Sequence, residues 1–519
     1  MRAGRALLLL GLAVPCIGAA PPPERVDLLI RGGTVYTGSG APFIGDVAIA
    51  GDRIRAVGRR LPVMAKRVID ARGMIVAPGF IDPHTHMGDD LASPDPRTRL
   101  IPAFLMQGVT TAFIGNDGGG DPDVAKALGG AASRPVGINY ATYVGFGAVR
   151  RQVVGAANRA PGEDELGRMR SLVARAMCQG ALGLSTGLFY APQSFAGTGE
   201  VVELAREAGR RGGFYDSHIR DESSYNIGLA AAVDEAIAIG REARLPVNIS
   251  HIKALGVDVH GQAPAIVARV EAARRAGQAV TADQYPWSAS GTSLTAALVP
   301  LWAQDGGRPK LLERLDDPDL AGRLQADMAE NLRRRGGPAA LLITEGALSG
   351  RTLAEIAKGR SPIAAAIAVI RTGDPAVASF NQTEADIKAF MRRPWVMTGS
   401  DASTGHPRTY GSFARKYFKY VVAERVVTLR EYIERSSTLA ADTFRLEGRG
   451  RLKAGAYADI VIFDPKRFAA RATYAKPTLT AAGVSSVLVN GILAVDKGVL
   501  TGRAGGRALP HRPTPGTCP

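Results

Sequence analysis

The chain has 519 residues, 46% of them hydrophobic and 22% charged. That composition can build a large core, and it excludes a wholly disordered chain, a collagen-like repeat and a small disulfide-stapled scaffold. Lys and Arg total 64 against 48 Asp and Glu, a formal charge of +16, but the basic residues are scattered, so they mark an Arg-rich composition and no nucleic-acid footprint is expected.

Residues 1–20 read as a signal peptide. Arg2 and Arg5 precede an apolar stretch at 7–14, and Gly18 and Ala20 have the small-residue spacing of a cleavage site. The stretch is too short to span a bilayer, which needs about 20 apolar residues. Cys16 raises lipidation, which Pro15 makes the poorer reading. A periplasmic or secreted location is therefore expected. No later apolar run is long enough for a transmembrane segment. Of the remaining cysteines, Cys178 reads as a buried thiol and Cys518 lies near the Pro- and Arg-rich end, so no structural disulfide is expected.

Residues 26–78 contain short strands separated by Gly-rich turns, and 450–500 repeats the pattern with Asn490-Gly491 as a hairpin signal. Neither part carries a large core alone, so one small β-sandwich domain built from both chain ends is expected. Between them, strand candidates at 110–114, 136–143, 213–218, 245–251 and 279–284 alternate with helical stretches at 162–179, 201–210, 226–240 and 264–276. Strand-then-helix repetition implies a parallel sheet. Its extent makes an α/β fold with a (β/α)8 TIM-type barrel over 79–430 the leading architecture, ahead of an open doubly wound sheet. A helical insert is expected near 304–350 and a flexible tail at 502–519.

The chain has seven histidines, and several end predicted strands. His84 and His86 form an i,i+2 pair on one side of an extended segment. His218 and His251 end two further strands, and Asp401 follows another. The carboxyl ends of parallel barrel strands converge on one face, so these groups form a candidate site for zinc or another divalent metal. A bound cation makes water nucleophilic and polarises a carbonyl, and Asp401 is the candidate general base and acid. Tyr190, Lys253, Tyr285 and Arg408 stand near the same strand ends. Charged donors beside phenols suit a substrate carboxylate. Gly118 to Gly120 lack the ending of a phosphate loop and read as a flexible turn beside the site.

The block Pro-Gly-Phe-Ile-Asp-Pro-His-Thr-His at 78–86, with the strand-end residues above, makes residues 26–500 resemble the metal-dependent amidohydrolase superfamily, and more closely its N-acyl-D-amino-acid deacylase branch. The blocks at 183–192, 217–220, 249–253, 281–287, 399–402 and 406–408 carry the branch. The resemblance implies one or two zinc ions. His84, His86 and Asp401 would serve one metal position, and His218 and His251 the other. Asp401 would be the catalytic acid/base, and Tyr190, Lys253, Tyr285 and Arg408 would hold substrate. One block departs from the family: residues 115–118 read Gly-Asn-Asp-Gly where the deacylases usually carry a metal-binding cysteine. Asp117 is therefore a candidate carboxylate ligand in place of a thiolate, which would harden the site. The resemblance also puts a substrate-contacting hydroxyl near 288–292, with no single residue assigned.

The expected reaction is hydrolysis of an N-acyl-D-amino acid, a small molecule with a free carboxylate. A dipeptidase for peptides ending in a D-residue presents the same chemistry. A non-catalytic ligand-binding barrel is the reading from another class, and the intact histidines and Asp401 weigh against it.

Overall fold

The computed structural model describes residues 24–518, so the signal segment expected at 1–20, with Cys16, lies outside the described residues. Eight parallel strands form the barrel. They are Phe80–Asp82, Val109–Ile114, Asn139–Thr142 (continued past Tyr143 by Val144–Gly145), Gly183–Gly187, Phe214–His218, Val247–Ile249, Val280–Gln284 and Val396–Thr398. The ring closes just past the first and last strands. Asp401 N donates to His84 O at 3.0 Å, and His86 N donates to Ala402 O at 3.0 Å. Strands such as Val109–Ile114 are buried along their whole length, as expected of parallel strands covered on both faces. Helices Glu163–Cys178, Thr198–Arg210, Leu229–Ala243 and Ala263–Arg275 form part of the outer layer. Thr198–Arg210 turns Val201, Val202, Leu204, Ala205 and Ala208 inward at helical spacing.

The β-sandwich combines five strands from residues 24–78 with four from residues 460–500 in one nine-stranded sheet. The two chain ends meet where Ile75–Pro78 pairs antiparallel with Ile460–Phe463. Leu28, Ile30, Val47, Ile54, Ile460 and Leu488 fill its core. Phe80 joins sandwich and barrel. Its ring stacks on Phe413 at 5.6 Å and meets Tyr432 edge-on at 5.4 Å and Phe463 at 6.5 Å.

Between the last two barrel strands the chain builds a lobe with its own core of Leu294, Leu298, Leu311, Leu324, Met328 and Ile370. Helices Gly307–Asp316 and Pro318–Arg334 lie in the stretch expected to be a helical insert. The lobe also carries an antiparallel sheet of Ala289–Ser293, Ala376–Phe380 and Leu341–Ile343, whose pairing has no signature in the sequence. Ala-Ser-Gly-Thr-Ser has little strand propensity, and the pairing is made by distant segments.

Two expectations at the chain's end are corrected. Cys178 and Cys518, 340 positions apart in the sequence, form a disulfide with Cα atoms 5.7 Å apart. The segment expected to be a flexible tail is tied along the barrel's lower rim. Gly506 N donates to Val136 O, Leu509 N to Tyr140 O, His511 N to Gly180 O and Thr514 N to Arg211 O. Its Pro-, Gly- and Arg-rich composition offers no periodic pattern, and its order comes from backbone partners supplied by the barrel. Among the described residues, no helix is long and apolar enough to cross a membrane.

Candidate active site

Five of the eight strand ends deliver one or two candidate metal-ligating groups to the barrel mouth. His84 and His86 follow the first strand, Asp117 the second, His218 ends the fifth, His251 follows the sixth and Asp401 the eighth. Asp117, His251 and Asp401 adopt left-handed backbone at φ 55°, 34° and 50°. Such conformations are costly for residues with a Cβ and persist where the surrounding structure enforces them. Here they turn the side chains from the strand axis into the mouth.

Asp117 sits at the centre of four imidazoles. Its oxygens lie 3.3 Å from His84, 3.5 Å from His86, 3.5 Å from His218 and 3.7 Å from His251. Asp401 Oδ1 lies 3.2 Å from His86 Nε2 and 3.7 Å from His84 Nε2, while its Oδ2 pairs with Arg408 Nη1 at 2.7 Å. One ligand atom each from His84, Asp117, His251 and Asp401 falls within 4.8 Å of the others. His218, Glu222 and His251 make a second such group.

A cation fits these donors. Both ring nitrogens of His84 and of His218, and Oδ1 of Asp117, are buried without a hydrogen-bond partner. Buried polar atoms are rarely left in this state. The carboxylates also call for positive charge. Burial opposes a charged ring at His86, but Asp117 and Asp401 outweigh it and raise its pKa to about 9. At Asp401, burial would raise the pKa. The Arg408 charge, followed by His251 and His86, prevails and keeps the carboxylate ionised, well below its usual range.

The proposed substrate-binding residues do not all reach the same surface. A cavity of about 370 Å³ is lined by His86, Asp117, Tyr190, His218, His251, Lys253, Asp401 and Arg408. Tyr285 lies behind this wall, beneath Lys253 and Arg408, whose charged groups stand 5.6 and 5.1 Å from its ring centre. Its hydroxyl accepts a hydrogen bond from Gln382 at 3.1 Å. Burial holds the Tyr190 phenol protonated, so it is a donor into the cavity. The Gly118 to Gly120 turn is tightly packed, and a Cβ on Gly120 would fall 2.1 Å from the Tyr143 carbonyl oxygen. In the 288–292 stretch, Ser290 and Thr292 line the cavity, and Thr292 Oγ1 donates to the Tyr190 hydroxyl at 3.4 Å.

Comparison with known proteins decides the family. The model described as "Amidohydrolase family" matches residues 67–495. The chain belongs to the amidohydrolase family. Its sequence is 34% identical to the D-aminoacylase of Alcaligenes xylosoxydans xylosoxydans over 514 residues, covering 94% of this chain and 98% of that one. A crystal structure of D-aminoacylase superposes with a TM-score of 0.80 at 32% identity, over 94% of this chain and all of the other. The N-acyl-D-glutamate deacylase of Bordetella bronchiseptica, solved with zinc and a phosphonate inhibitor, superposes with a TM-score of 0.79 at 30% identity, over 94% and 100% of the two chains. This amidohydrolase is a metal-dependent hydrolase of the D-aminoacylase type.

Several residues of the amidohydrolase site escaped the sequence reading. Glu222 accepts from Lys253 Nζ at 2.5 Å and lies 3.2 Å from His251 Nδ1 and 3.8 Å from His218 Nε2. Below the mouth, Asn248 Nδ2 donates to both Asp216 and Asp283 at 2.8 Å, and Asn116 Nδ2 donates to Asp216 at 2.9 Å. Asp82 receives Ser400 N at 3.0 Å. Burial raises Asp216 to about 6 and Asp82 to about 7. A signal was available: Asp82, Asp216 and Asp283 each stand two residues before His84, His218 and Tyr285, on the same side of the strand.

Proposed function

We propose that the chain hydrolyses the amide bond of N-acyl-D-amino acids to a carboxylate and a free D-amino acid. We assign His84, His86, Asp117, His218, His251 and Asp401 to one or two zinc ions. The unpartnered donors of His84, Asp117 and His218, gathered beside the Asp401–Arg408 pair, carry this reading. The zinc in the Bordetella relative supports the choice of ion. Asp117 supplies a hard carboxylate, so other divalent ions compete with zinc more readily than at a thiolate.

A divalent ion held by these donors supplies Lewis acidity to water and to the scissile carbonyl. Asp401 enters the reaction ionised. Its Oδ1 faces the imidazoles and is placed to take the proton of the attacking water, then deliver it to the leaving nitrogen. Its Oδ2 stays on Arg408, which fixes the carboxylate plane. Arg408, Lys253 and the Tyr190 hydroxyl surround the substrate carboxylate and carbonyl. Tyr285 supports the two cations from behind and does not touch substrate directly. The cavity suits a small acylated amino acid.

Export follows from the signal pattern at 1–20. The Cys178–Cys518 disulfide is compatible with an oxidising periplasmic or extracellular setting.

The deciding experiment compares zinc-loaded protein on N-acetyl-D-amino acids, N-acetyl-L-amino acids and L,D-dipeptides. Hydrolysis confined to the first group is expected. Faster dipeptide turnover would favour a dipeptidase, and no turnover of any would reject the reading.

A further inference from the structure

Resting on that reading, the geometry points to Arg335 as a specificity residue that receives a second carboxylate of the substrate, so that the preferred substrates are dicarboxylic N-acyl-D-amino acids. Arg335 follows helix Pro318–Arg334 in the lobe and lines the same cavity as the metal-binding cluster. It is 2% exposed. Its Nε donates to Ala297 O and its Nη1 to Ser379 Oγ, both at 3.0 Å, and its Nη2 makes no hydrogen bond to the protein. Two other arginines are as deeply buried, and both are paired: Arg150 with Glu200 at 3.0 Å and Arg408 with Asp401 at 2.7 Å. Among the described residues, Arg335 has no carboxylate partner. A buried guanidinium without a counter-charge is strongly disfavoured unless a ligand supplies one.

The position of Arg335 separates it from the inner cations. Lys253 and Arg408 touch His251 and Asp401 directly, and each already pairs with a protein carboxylate. They are placed for the carboxylate adjoining the scissile amide. Arg335 lies further out, beyond two aromatic rings. Phe189 stands 5.8 Å from the His218 ring, Tyr225 stands 5.4 Å from Phe189, and the Arg335 guanidinium lies 5.7 Å from Tyr225. The Tyr225 hydroxyl is itself buried without a partner. Arg335 and Tyr225 thus stand together on one outer wall, the guanidinium facing the phenol and having no carboxylate of the protein beside it. Glu345 also lines the cavity, but it accepts from Ala376 N and is not paired with Arg335. The second carboxylate can come from an acidic D-side chain or from a dicarboxylic acyl group.

Both sources are tested with zinc-loaded wild type, R335Q and R335K. One arm measures kcat/KM for N-acetyl-D-glutamate against N-acetyl-D-glutamine. The other measures N-succinyl-D-leucine against N-acetyl-D-leucine. Wild type should favour the dicarboxylate in one arm by about tenfold or more, the discrimination expected of a charged hydrogen-bond pair. R335Q should abolish that preference, chiefly through KM, and R335K should restore part of it. Ratios taken within each variant are independent of the folded fraction, and metal content is checked alongside. The favoured arm identifies the source. The inference is overturned if wild type shows no preference in either arm, or if the preference survives R335Q. Failure to hydrolyse even N-acetyl-D-leucine and N-acetyl-D-glutamine would instead reject the deacylase reading, and this inference with it.

Discussion

Replacing Asp401 with Asn isolates the proton-transfer role from the metal-holding role. The two side chains have nearly the same shape, but the amide cannot accept a proton and carries no charge. In the wild type, Oδ1 lies 3.2 Å from His86 Nε2 and Oδ2 lies 2.7 Å from Arg408 Nη1. If the amide oxygen keeps its place among the imidazoles, the amide nitrogen must face the Arg408 guanidinium, donor against donor. The variant therefore loses its base and the partner that orients Arg408. Loss of general acid–base catalysis removes about 10²–10⁴ in rate, and the loss of alignment adds to it. The expected fall in kcat is about 10³–10⁴-fold, or roughly 4–5 kcal/mol of barrier. Four imidazoles and Asp117 remain, so the protein should still bind metal. The assay pairs elemental analysis of dialysed protein with steady-state rates on an N-acetyl-D-amino acid, repeated with added zinc. A kcat within about tenfold of wild type at full metal occupancy would refute the acid/base assignment.

Other expectations follow from the same geometry. Chelation should abolish activity, and added zinc should restore it, as followed by rate against metal content. Asp117→Ala should lose most metal, whereas Asp117→Cys should retain the ion and shift its preference towards softer ions such as cadmium, read by competition binding. Lys253→Met leaves Glu222 buried without its cation and should raise KM by about 10-fold or more, with proper folding checked by circular dichroism. Cys518→Ser should cost about 2–4 kcal/mol by freeing a long loop, seen as a melting point lowered by a few degrees while kcat is unchanged. Phe80→Ala should cost about 3–5 kcal/mol, because its ring contacts three other aromatics where barrel and sandwich meet, and denaturant unfolding would measure this.

The barrel was legible because its strands are short runs carrying apolar residues, several of them followed or ended by an ionisable residue. His84, His218 and His251 are visible from that pattern alone, and Asp117 emerged from a resemblance and one unexpected residue. What remained hidden depends on distant partners. Glu222 looks like a surface residue of a charged loop until the fold sets Lys253 and two imidazoles around it. The Asp216–Asn248–Asp283 network has no linear signature, although alternation along each strand could have suggested it. The strand Ala289–Ser293 is made by its pairing with Ala376–Phe380 and not by its own propensity. Cys178 and Cys518 could not be paired on paper, because a Pro-rich tail gives no sign of where it runs.

A sheet assembled from both ends of the chain also imposes an order on biosynthesis. The ribosome releases Glu24–Val35 and its neighbours first, yet Ile75–Pro78 has no partner on one edge until Ile460–Phe463 emerges. For most of translation the nascent polypeptide therefore exposes an open, apolar strand edge, which invites pairing with other chains. Recombinant fragments that stop short of residue 460 should accumulate as aggregates.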